Sequence, residues 1–285
     1  MSSTTDPELI DKTTTDIAYL MENDEEALRL EIKTDIEAVR DEARWCGLKP
    51  GMRVLDAGCG PGLVTSILHE FIKPNGFILG VDYSTKRIEY ANKKYANRNE
   101  IEFYLHDLRK PLKDIGTFDL IWARFVLEYN KKEAAEIVKN LQSIIRPGGL
   151  LCLLDLDYNC LTHYELSKPL ESALFAIIGI LETKYNFDPY IGRKLYSYLF
   201  DINCEKIESL LKAHHLFYGK VDENQIFNWT KKVEMAAHRL PEIISVYPKG
   251  KEGFIRDFNS FFLNPRRFSY TPMIICKGAK PYPFS

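Results

Sequence analysis

Three glycines lie within five positions of the stretch VLDAGCGPGLVTSIL (residues 54–68), at Gly58, Gly60 and Gly62. They follow a short apolar run and precede a helical pattern, so they occupy a strand-to-helix turn. Glycine permits a positive φ and a close approach of other groups to the backbone. The N-terminus of the following helix adds free N–H donors and a partial positive charge. The loop therefore predicts a bound phosphate, carboxylate or other oxygen-rich group, and the alternative is a tight turn without a ligand.

Two acidic residues stand at the ends of the next two predicted strands, Asp82 after FILGV (77–81) and Asp107 after IEFYL (101–105). A dinucleotide-binding loop has the spacing G-x-G-x-x-G, which would need glycine where this chain has Leu63. The carboxylate of Asp82 can accept hydrogen bonds from ribose hydroxyls in either kind of site. Asp107 can accept from an exocyclic adenine amine, or it can cap a turn. Acids at consecutive strand ends, together with the glycine spacing, are more specific than any of these features alone.

At these residues the sequence resembles the class I S-adenosylmethionine-dependent methyltransferases. The resemblance covers roughly residues 19 to 157. Beyond them, DPYIGRKLYSYL (188–199) and YTPMIICKGAK (270–280) are similar to a bacterial and archaeal branch that acts on small molecules. The motifs that carry it are DAGCGPG (56–62), GVDYS (80–84), HDL (106–108), FDLIWARFVLEY (118–129) and IIRPGGLLCLLDLD (144–157).

The resemblance implies S-adenosylmethionine as the cofactor and S-adenosylhomocysteine as its product. In such a site Gly58 and Gly60 line the methionine part, Asp82 binds the ribose, and Asp107 binds the adenine amine. The segment YLMENDEEALRLE (19–31) is similar to the N-terminal helix of that family. There Tyr19 would close over the cofactor, and Arg29 would either reach its carboxylate or be a solvated helix residue. The other cofactor contacts that the resemblance implies are Asp56, Cys59, Tyr83, His106, Leu108, Ala123 and Arg124.

The acceptor class is narrowed by motifs that the sequence lacks. Enzymes that methylate base amino groups resemble one another in an Asn/Asp-Pro-Pro-aromatic motif, where this chain has Ala123-Arg124-Phe125-Val126. The chain has no Pro-Cys pair of the pyrimidine-carbon enzymes, and only Glu128 of the two glutamates of protein-arginine enzymes. The metal-binding carboxylate of catechol-type enzymes is also missing. These absences favour a small acceptor with apolar or aromatic parts, and no metal.

Residues after the fifth predicted strand are candidates for work on the acceptor. Methyl transfer from a sulfonium requires mainly alignment of the reacting atoms, so a dedicated base is optional. Asp157, His163 and Tyr164 are candidate proton acceptors or catalytic residues, and Tyr158 and Arg193 are candidate substrate contacts. A hydrogen-bonded loop histidine is the alternative for His163, and a capping or pairing role is the alternative for Arg193.

Composition excludes several broad classes. The 285 residues carry a formal net charge of −2 without a long basic stretch, which disfavours a nucleic-acid partner. The cysteines are scattered and form no CxxC pair. This pattern is typical neither of a zinc site nor of a disulfide framework, and it favours a cytoplasmic location. The longest apolar run, at residues 173–181, is too short to span a membrane. The N-terminus lacks the pattern of a signal peptide.

Alternating apolar runs and helical patterns predict an α/β fold: a Rossmann-like, doubly wound, mostly parallel seven-stranded sheet with helical lid insertions. A helix is predicted from residue 23 or 24 until Gly47 and Pro50-Gly51 stop it, and further helices at 131–145 and 222–244. The turn RPGG (146–149) is expected to precede the fifth strand, and Pro272 to place the last strand at an edge or bulge. The predicted regions are N-terminal helices (1–45), a cofactor-binding core (46–158), a lid insertion (159–193), and a completion of the sheet (194–285) with a second helical insertion at about 222–262.

Three classes of function stay open at this point. The first is a methyltransferase that acts on a small molecule. The second is a protein that binds the cofactor without catalysis and serves regulation or interaction. The third is a nicotinamide-dependent oxidoreductase, which Leu63 disfavours. Binding of S-adenosylmethionine without binding of NAD would exclude the third class, and turnover of an acceptor would exclude the second.

Overall fold

The structure, a computed structural model, describes residues 30–31, 34–96, 100–158 and 162–283. Helices and strands alternate through the first half of these residues, as the sequence pattern predicts. The helices are α1 (Ile36–Cys46), α2 (Leu63–Ile72), α3 (Thr85–Tyr95), α4 (Ala134–Ser143), α5 (Lys168–Lys184), α6 (Leu195–Asp201), α7 (Glu223–Arg239), α8 (Pro241–Ile244) and α9 (Gly250–Leu263). The strands are β1 (Arg53–Ala57), β2 (Phe77–Asp82), β3 (Ile101–Leu105), β4 (Phe118–Arg124), β5 (Ile145–Leu156), β6 (His163–Tyr164), β7 (Glu205–Tyr218) and β8 (Phe268–Ala279).

These strands form one sheet in the order β3-β2-β1-β4-β5-β8-β6, and β7 also pairs with β8. Strands β1 to β5 are parallel, whereas β8 is antiparallel to β5, β6 and β7. The expected Rossmann-like, mostly parallel α/β fold is therefore confirmed. The described residues contain eight strands rather than seven because the two-residue strand β6 adds to the edge of β8.

Helices cover both faces of the parallel strands, because successive side chains of a strand point to opposite faces. On one face Trp122 of β4 packs in a buried cluster with Val39 of α1 and Leu68 of α2. On the other face Ile121 packs with residues of α4 and α6, among them Leu141. The parallel strands all end at one edge of the sheet, where ligands of such folds bind.

Strands β7 and β8 continue beyond the carboxyl end of β5. The last residue of β5, Leu156, is paired with Met273 of β8, whereas β8 begins five residues earlier and pairs with β7 up to Tyr218. We call residues 213–218 and 268–272 the strand extension. Helices α5, α7, α8 and α9, which we call the helical cap, share a buried cluster with the inner face of this extension.

The predicted N-terminal helix is interrupted at residues 34 and 35. Leu30 and Glu31 are helical, but α1 begins only at Ile36, after Asp35. The Asp35 side chain accepts a hydrogen bond from the Ala38 amide at 3.0 Å, which is an N-cap and starts a new helix. The prediction of one continuous helix is therefore wrong here, although the helix ends before Gly47 as predicted.

Two other helix predictions are also wrong at their ends. Helix α4 begins at Ala134 rather than at residue 131, because the amides of Lys131 and Lys132 donate to Asn186 instead. The predicted helix 222–244 is divided after Leu240, where Pro241 begins the separate short helix α8. A proline lacks the N–H that a continuous helix would need there.

The position of RPGG needs correction, whereas the bulge predicted at Pro272 as one of two alternatives is confirmed. The turn RPGG does not precede β5 but lies inside it, because the Gly148 amide donates to the Lys280 carbonyl and the Lys280 amide donates to Gly149. Pro272 does not mark an edge, since β8 has β5 on one side and β7 on the other. The β7 register shifts between Ala213 and His215, opposite the proline, so the missing N–H lies at a bulge.

Within the described part of the chain, every helix is too short or too polar to cross a membrane.

Candidate active site

The three glycines of the loop after β1 all adopt a positive φ, but for different reasons. A Cβ on Gly58 would lie 2.5 Å from Cγ2 of Val126, and one on Gly62 would clash with Phe103 and Ala91. The protein's own packing therefore requires these two glycines. A Cβ on Gly60 would meet no atom within 4 Å. Space is left beside this one residue, as a site that receives a ligand close to the backbone would need.

Asp82 at the end of β2 holds the loop in place. Its Oδ2 accepts from the Gly60 amide at 3.0 Å, and its Oδ1 accepts from the Ser84 amide at 2.9 Å. The side chain is almost fully buried. Each carboxylate oxygen has a second lone pair, so the same group can accept hydroxyl hydrogen bonds from a ribose. This geometry fits the cofactor that the sequence predicts, and the ribose role stays a prediction.

Asp56 lies beneath the loop and is also buried. Its Oδ2 accepts from Oγ1 of Thr65 at 2.6 Å. Burial is the main cause that raises the pKa of Asp56 to about 7, and the charge of Asp82 raises it further against the Thr65 hydrogen bond and the charge of Arg124. The Cys59 thiol is buried beside it, and burial raises its pKa well above the ordinary value. Both positions were predicted as cofactor neighbours, which is untested.

Asp107 is bound by a neighbouring arginine at the end of β3. The Arg109 Nε and Nη2 atoms donate to its two oxygens, each at 2.8 Å. These hydrogen bonds lower the pKa of Asp107. The adenine amine would have to share the carboxylate with Arg109. Leu108 is buried beside it, and His106 contacts the Lys110 carbonyl at 3.4 Å.

Arg124, at the end of β4, forms an ion pair with Glu42, an acid to which the sequence analysis assigned no role. Its Nε lies 2.8 Å from Oε2 of Glu42, and Lys212 of β7 lies 3.3 Å from the other oxygen. The guanidinium also stacks on Phe125, 4.1 Å from the ring centre. Glu42 is buried on the apolar face of α1, and an acid among apolar residues at helical spacing is the signal that could have found it. Ala123 is buried in β4.

Two further buried acids, Asp155 and Glu128, lie close together near the carboxyl edge of the parallel strands. The Asp155 Oδ2 accepts from the amides of Leu127 and Glu128 at 2.9 and 3.3 Å. Burial and the charge of Glu128 raise the pKa of Asp155 well above its ordinary value. This pair shapes the turn after β4, and the sequence analysis assigned it no role.

Asp157 and Arg193, predicted as separate candidates, form an ion pair. Nε and Nη2 of Arg193 donate to the two oxygens of Asp157 at 2.8 and 2.9 Å. The guanidinium lies over the Tyr190 ring at 4.9 Å, and Tyr158 stands 5.7 Å from the same ring. The structure thus brings three of the predicted acceptor residues together, with their opposite charges already matched.

His163 and Tyr164 form β6 at the strand extension. The His163 Nδ1 atom lies 2.8 Å from the Ser269 hydroxyl, and its ring meets Phe261 edge-on at 5.4 Å. The side chain of Tyr164 is exposed. These contacts fit the hydrogen-bonded alternative for His163, and a catalytic role for either residue is untested.

Tyr83, Tyr19 and Arg29 are the remaining predicted cofactor contacts. Tyr83 follows Asp82 and is half exposed. Tyr19 and Arg29 lie outside the described residues. In the described ranges, no cluster of three or more His, Cys, Asp or Glu side chains is arranged to hold a metal ion.

Comparison with known proteins gives a family for the core. Residues 54–149 match the family model described as a methyltransferase domain. The chain is 32% identical over 115 residues to an uncharacterized 37.1 kDa protein in a Streptomyces fradiae transposon, across 40% of this chain and 33% of that protein. It is 25% identical over 182 residues to the demethylmenaquinone methyltransferase of Staphylococcus aureus, across 64% of this chain and 68% of the enzyme. The chain thus spans a third of the first relative and two thirds of the second.

The fold is also that of solved methyltransferases. The phosphoethanolamine N-methyltransferase 2 of Haemonchus contortus, solved with phosphomonomethylethanolamine and S-adenosylhomocysteine, superposes with a TM-score of 0.59. The identity is 13%, and the match covers 91% of this chain and 58% of that one. At this identity the similarity concerns the fold alone.

Proposed function

We propose that this chain, whose residues 54–149 match a methyltransferase domain, transfers a methyl group from S-adenosylmethionine to a small organic acceptor. The observation that carries the proposal is the arrangement of Gly60 and Asp82. One residue leaves space beside the backbone, and the other holds that backbone with a buried carboxylate.

Residues at the ends of β1 to β4 would hold the cofactor. Gly58 and Gly60 would face its methionine part, Asp82 the ribose, and Asp107 with Leu108 the adenine. When bound, S-adenosylmethionine supplies an electrophilic methyl carbon on a positively charged sulfur. The chain's own contribution is then to orient the acceptor atom in line with the carbon–sulfur bond, which is an effect of position.

Proton transfer needs no strong base in this arrangement. Asp157 is neutralised by Arg193, and His163 is hydrogen-bonded to Ser269. Either residue can take a proton from the acceptor only after that contact changes. We therefore assign both to acceptor positioning, with proton acceptance as a secondary role.

The acceptor is proposed to be a small molecule in part because of the relative that methylates demethylmenaquinone. That relative and the N-methyltransferase with the same fold act on chemically different compounds. The acceptor here has to be found from this chain's own residues. A nucleic-acid partner is not expected from the charge, and a cytoplasmic location remains a prediction.

Calorimetry with S-adenosylmethionine, S-adenosylhomocysteine and NAD tests the cofactor. We expect the first two to bind at one site per chain and NAD not to bind. Binding of NAD alone would overturn the proposal in favour of an oxidoreductase. Transfer of a labelled methyl group to members of a small-molecule library then tests catalysis. Tight cofactor binding without any transfer would favour the non-catalytic alternative.

A further inference from the structure

Glu42 on α1 is a buried carboxylate that two cations share. Its Oε2 atom accepts from Nε of Arg124 at 2.8 Å, and its Oε1 atom accepts from Nζ of Lys212 at 3.3 Å. Arg124 ends β4 and Lys212 lies on β7, so the two cations come from strands roughly 14 Å apart and meet at one side chain. We call these three residues the charge cluster. One negative charge faces two positive charges, so the cluster has an excess positive charge that favours an anionic ligand.

The excess charge belongs to Lys212 rather than to Arg124. Arg124 has the shorter contact with Glu42, and its charge also acts on Asp56, where it opposes the rise in pKa that burial causes. Among the described residues, Glu42 is the only acid within ion-pair distance of Lys212. An ammonium group has three donors, and Glu42 accepts from it through one oxygen. The other donors of Lys212 are therefore left for a ligand.

Lys212 stands at the carboxyl end of the parallel strands, between α1 and the helical cap. Strand register places Leu156, Met273 and Lys212 side by side across β5, β8 and β7, and Leu156 is the last residue of β5. Met273 is buried in the cluster that contains α1, so the paired Lys212 lies on that face as well. Further along the same face, Phe217 is paired with Ser269 and packs in the cap. Between these two coverings, 27% of the Lys212 side chain is exposed.

Two aromatic rings adjoin the charge cluster. The Phe125 ring centre lies 4.1 Å from the Arg124 guanidinium, and the Phe125 ring meets the His214 ring at 4.9 Å. Phe125 follows the end of β4, and His214 lies two residues beyond Lys212 on β7. The rings therefore bridge β4 and β7 above the two strands between them, as the charge cluster does. A cation beside aromatic rings suits a ligand that is itself aromatic and anionic.

We propose that Lys212 binds an anionic oxygen group of the methyl acceptor, which would then be an aromatic carboxylate or phosphate. A lysine binds either anion as a point charge. The cofactor's own carboxylate has the same chemistry, but its predicted place is beside Gly58. Strand register places Arg124, not Lys212, level with Gly58. The inference deepens the proposed function and rests on it, since the anion would hold the acceptor beside the transferable methyl group.

Calorimetry with 2-naphthoate, 2-naphthyl phosphate and neutral 2-naphthamide tests the inference on the full chain, saturated with S-adenosylhomocysteine. We expect at least one anion to bind about tenfold more tightly than the amide, because hydrogen bonds to charged groups are the stronger ones. Lys212→Gln should abolish this preference, and Lys212→Arg, which restores the charge, should retain it. Lys206→Gln is the matched control, since it removes an exposed lysine from the same strand and should keep the preference. Equal affinities of all three probes for the wild-type protein would overturn the inference.

Thermal unfolding without a ligand separates a binding role from a structural one. In Lys212→Gln the ion pair of Glu42 with Arg124 remains, so we expect a Tm close to that of the wild-type protein. A lower Tm together with an intact preference for the anion would show that Lys212 only stabilises Glu42, and the inference would be wrong. An intact preference at an unchanged Tm would overturn it as well. Lys212→Met provides the same comparison if the glutamine variant does not fold.

Titration with S-adenosylhomocysteine and with 5′-methylthioadenosine distinguishes the two sources of the anion, because the second compound lacks the amino-acid carboxylate. We expect Lys212→Gln to leave both affinities close to the wild-type values. A loss confined to S-adenosylhomocysteine would mean that Lys212 holds the cofactor's carboxylate, which would contradict the inference. Failure of the wild-type protein to bind S-adenosylhomocysteine would instead contradict the proposed function. This titration is therefore run first, and it keeps the two failures apart.

Discussion

The loops after β1 and β2 differ from the strand extension in whether their buried polar groups have hydrogen-bond or charge partners. In the first region, which we call the cofactor half (residues 53–124), each buried carboxylate has its donors: Asp82 has two amides and Asp56 has a hydroxyl. In the second region, the acceptor half (the strand extension with the helical cap and the adjoining Arg267), the buried Arg267 guanidinium lies over the Phe262 ring and has no carboxylate partner among the described residues. Aromatic side chains of the strand extension are exposed there. The polar groups of the first region are already hydrogen-bonded without a ligand. The second region instead has a buried charge and exposed rings that a ligand would contact.

This difference suggests a division of tasks. A preorganised site has its hydrogen-bonding groups fixed by the backbone and by the strand ends before the ligand binds. A site with unmatched charge and exposed rings is specific for whatever satisfies them. Substitutions in the two halves should therefore affect different ligands, and four of them test this in order of decreasing effect.

Gly60→Val should have the largest effect. The residue has a φ of 54° and open space at its Cβ, and a β-branched side chain resists this backbone and would occupy the ligand's space. We expect a loss of at least about 1000-fold in S-adenosylhomocysteine affinity, or ~4 kcal/mol, by calorimetry. Gly51→Val is the matched control, since Gly51 also has a positive φ and an open Cβ position. A folded Gly60→Val protein with wild-type affinity would contradict the loop assignment.

Asp56→Asn should change how stability depends on pH. Because the folded-state pKa of about 7 lies above the unfolded value, the native protein binds a proton that the unfolded chain releases. This contribution to stability is lost as pH rises through 7. Between pH 5 and 8 it amounts to about 2.5 kcal/mol. Between these pH values the free energy of unfolding, measured with urea, should fall by that amount less for Asp56→Asn than for the wild-type protein. Parallel plots of this free energy against pH for the two proteins would mean that Asp56 is ionised throughout.

Asp82→Asn should weaken the cofactor half by a smaller amount. The amide group keeps the size but places a donor opposite the Gly60 or Ser84 amide and loses a charged acceptor for the ribose. We expect a tenfold to thirtyfold lower affinity for S-adenosylhomocysteine, about 1.5–2 kcal/mol. Asp119→Asn is the control, since its carboxylate also accepts from a backbone amide, that of Arg53 at 2.7 Å, but at the other edge of the sheet. Equal losses in both variants would remove the ribose assignment.

Phe258→Leu in α9 should have the smallest effect on the cofactor. Phe258 is buried in the helical cap, and its shortening should lower the local unfolding free energy of residues 223–263 by about 1–1.5 kcal/mol. Hydrogen exchange should show faster exchange there and unchanged exchange in β1 to β5. Affinity for S-adenosylhomocysteine should stay within about twofold. A fall like that of Asp82→Asn would show that the two halves are not separate.

The cofactor half was largely predictable because local patterns determine it. The turn after β1 follows from three glycines, and β2 and β3 were found within a residue because short apolar runs bounded by polar residues define them. The helix α3 begins after Ser84, a residue type that favours helix N-caps, and the Ser84 side chain accepts from the Arg87 amide. What these residues bind was suggested by resemblance, and their individual contacts stay predictions.

Other features, in the cofactor half as well as outside it, were less predictable because they depend on partners far along the chain. The entry of β5 through RPGG depends on hydrogen bonds to Lys280. The position of Arg124 depends on Glu42 and Lys212, which lie on two other elements. Arg267 carries no local signal, since an arginine in a polar segment is ordinarily solvated. Only the arrangement in space shows that it is buried.

The central position of β8 bears on how the chain folds during synthesis. Residues 157–267 separate β8 from its neighbour β5 in sequence, so the ribosome releases β1 to β5 long before their last partner is available. Until then the edge of β5 is an unpaired strand, a template for pairing with other chains. Pairing over such a sequence distance is also slow. A translational stop before residue 268 would leave both β5 and β7 without β8 and should produce aggregated protein.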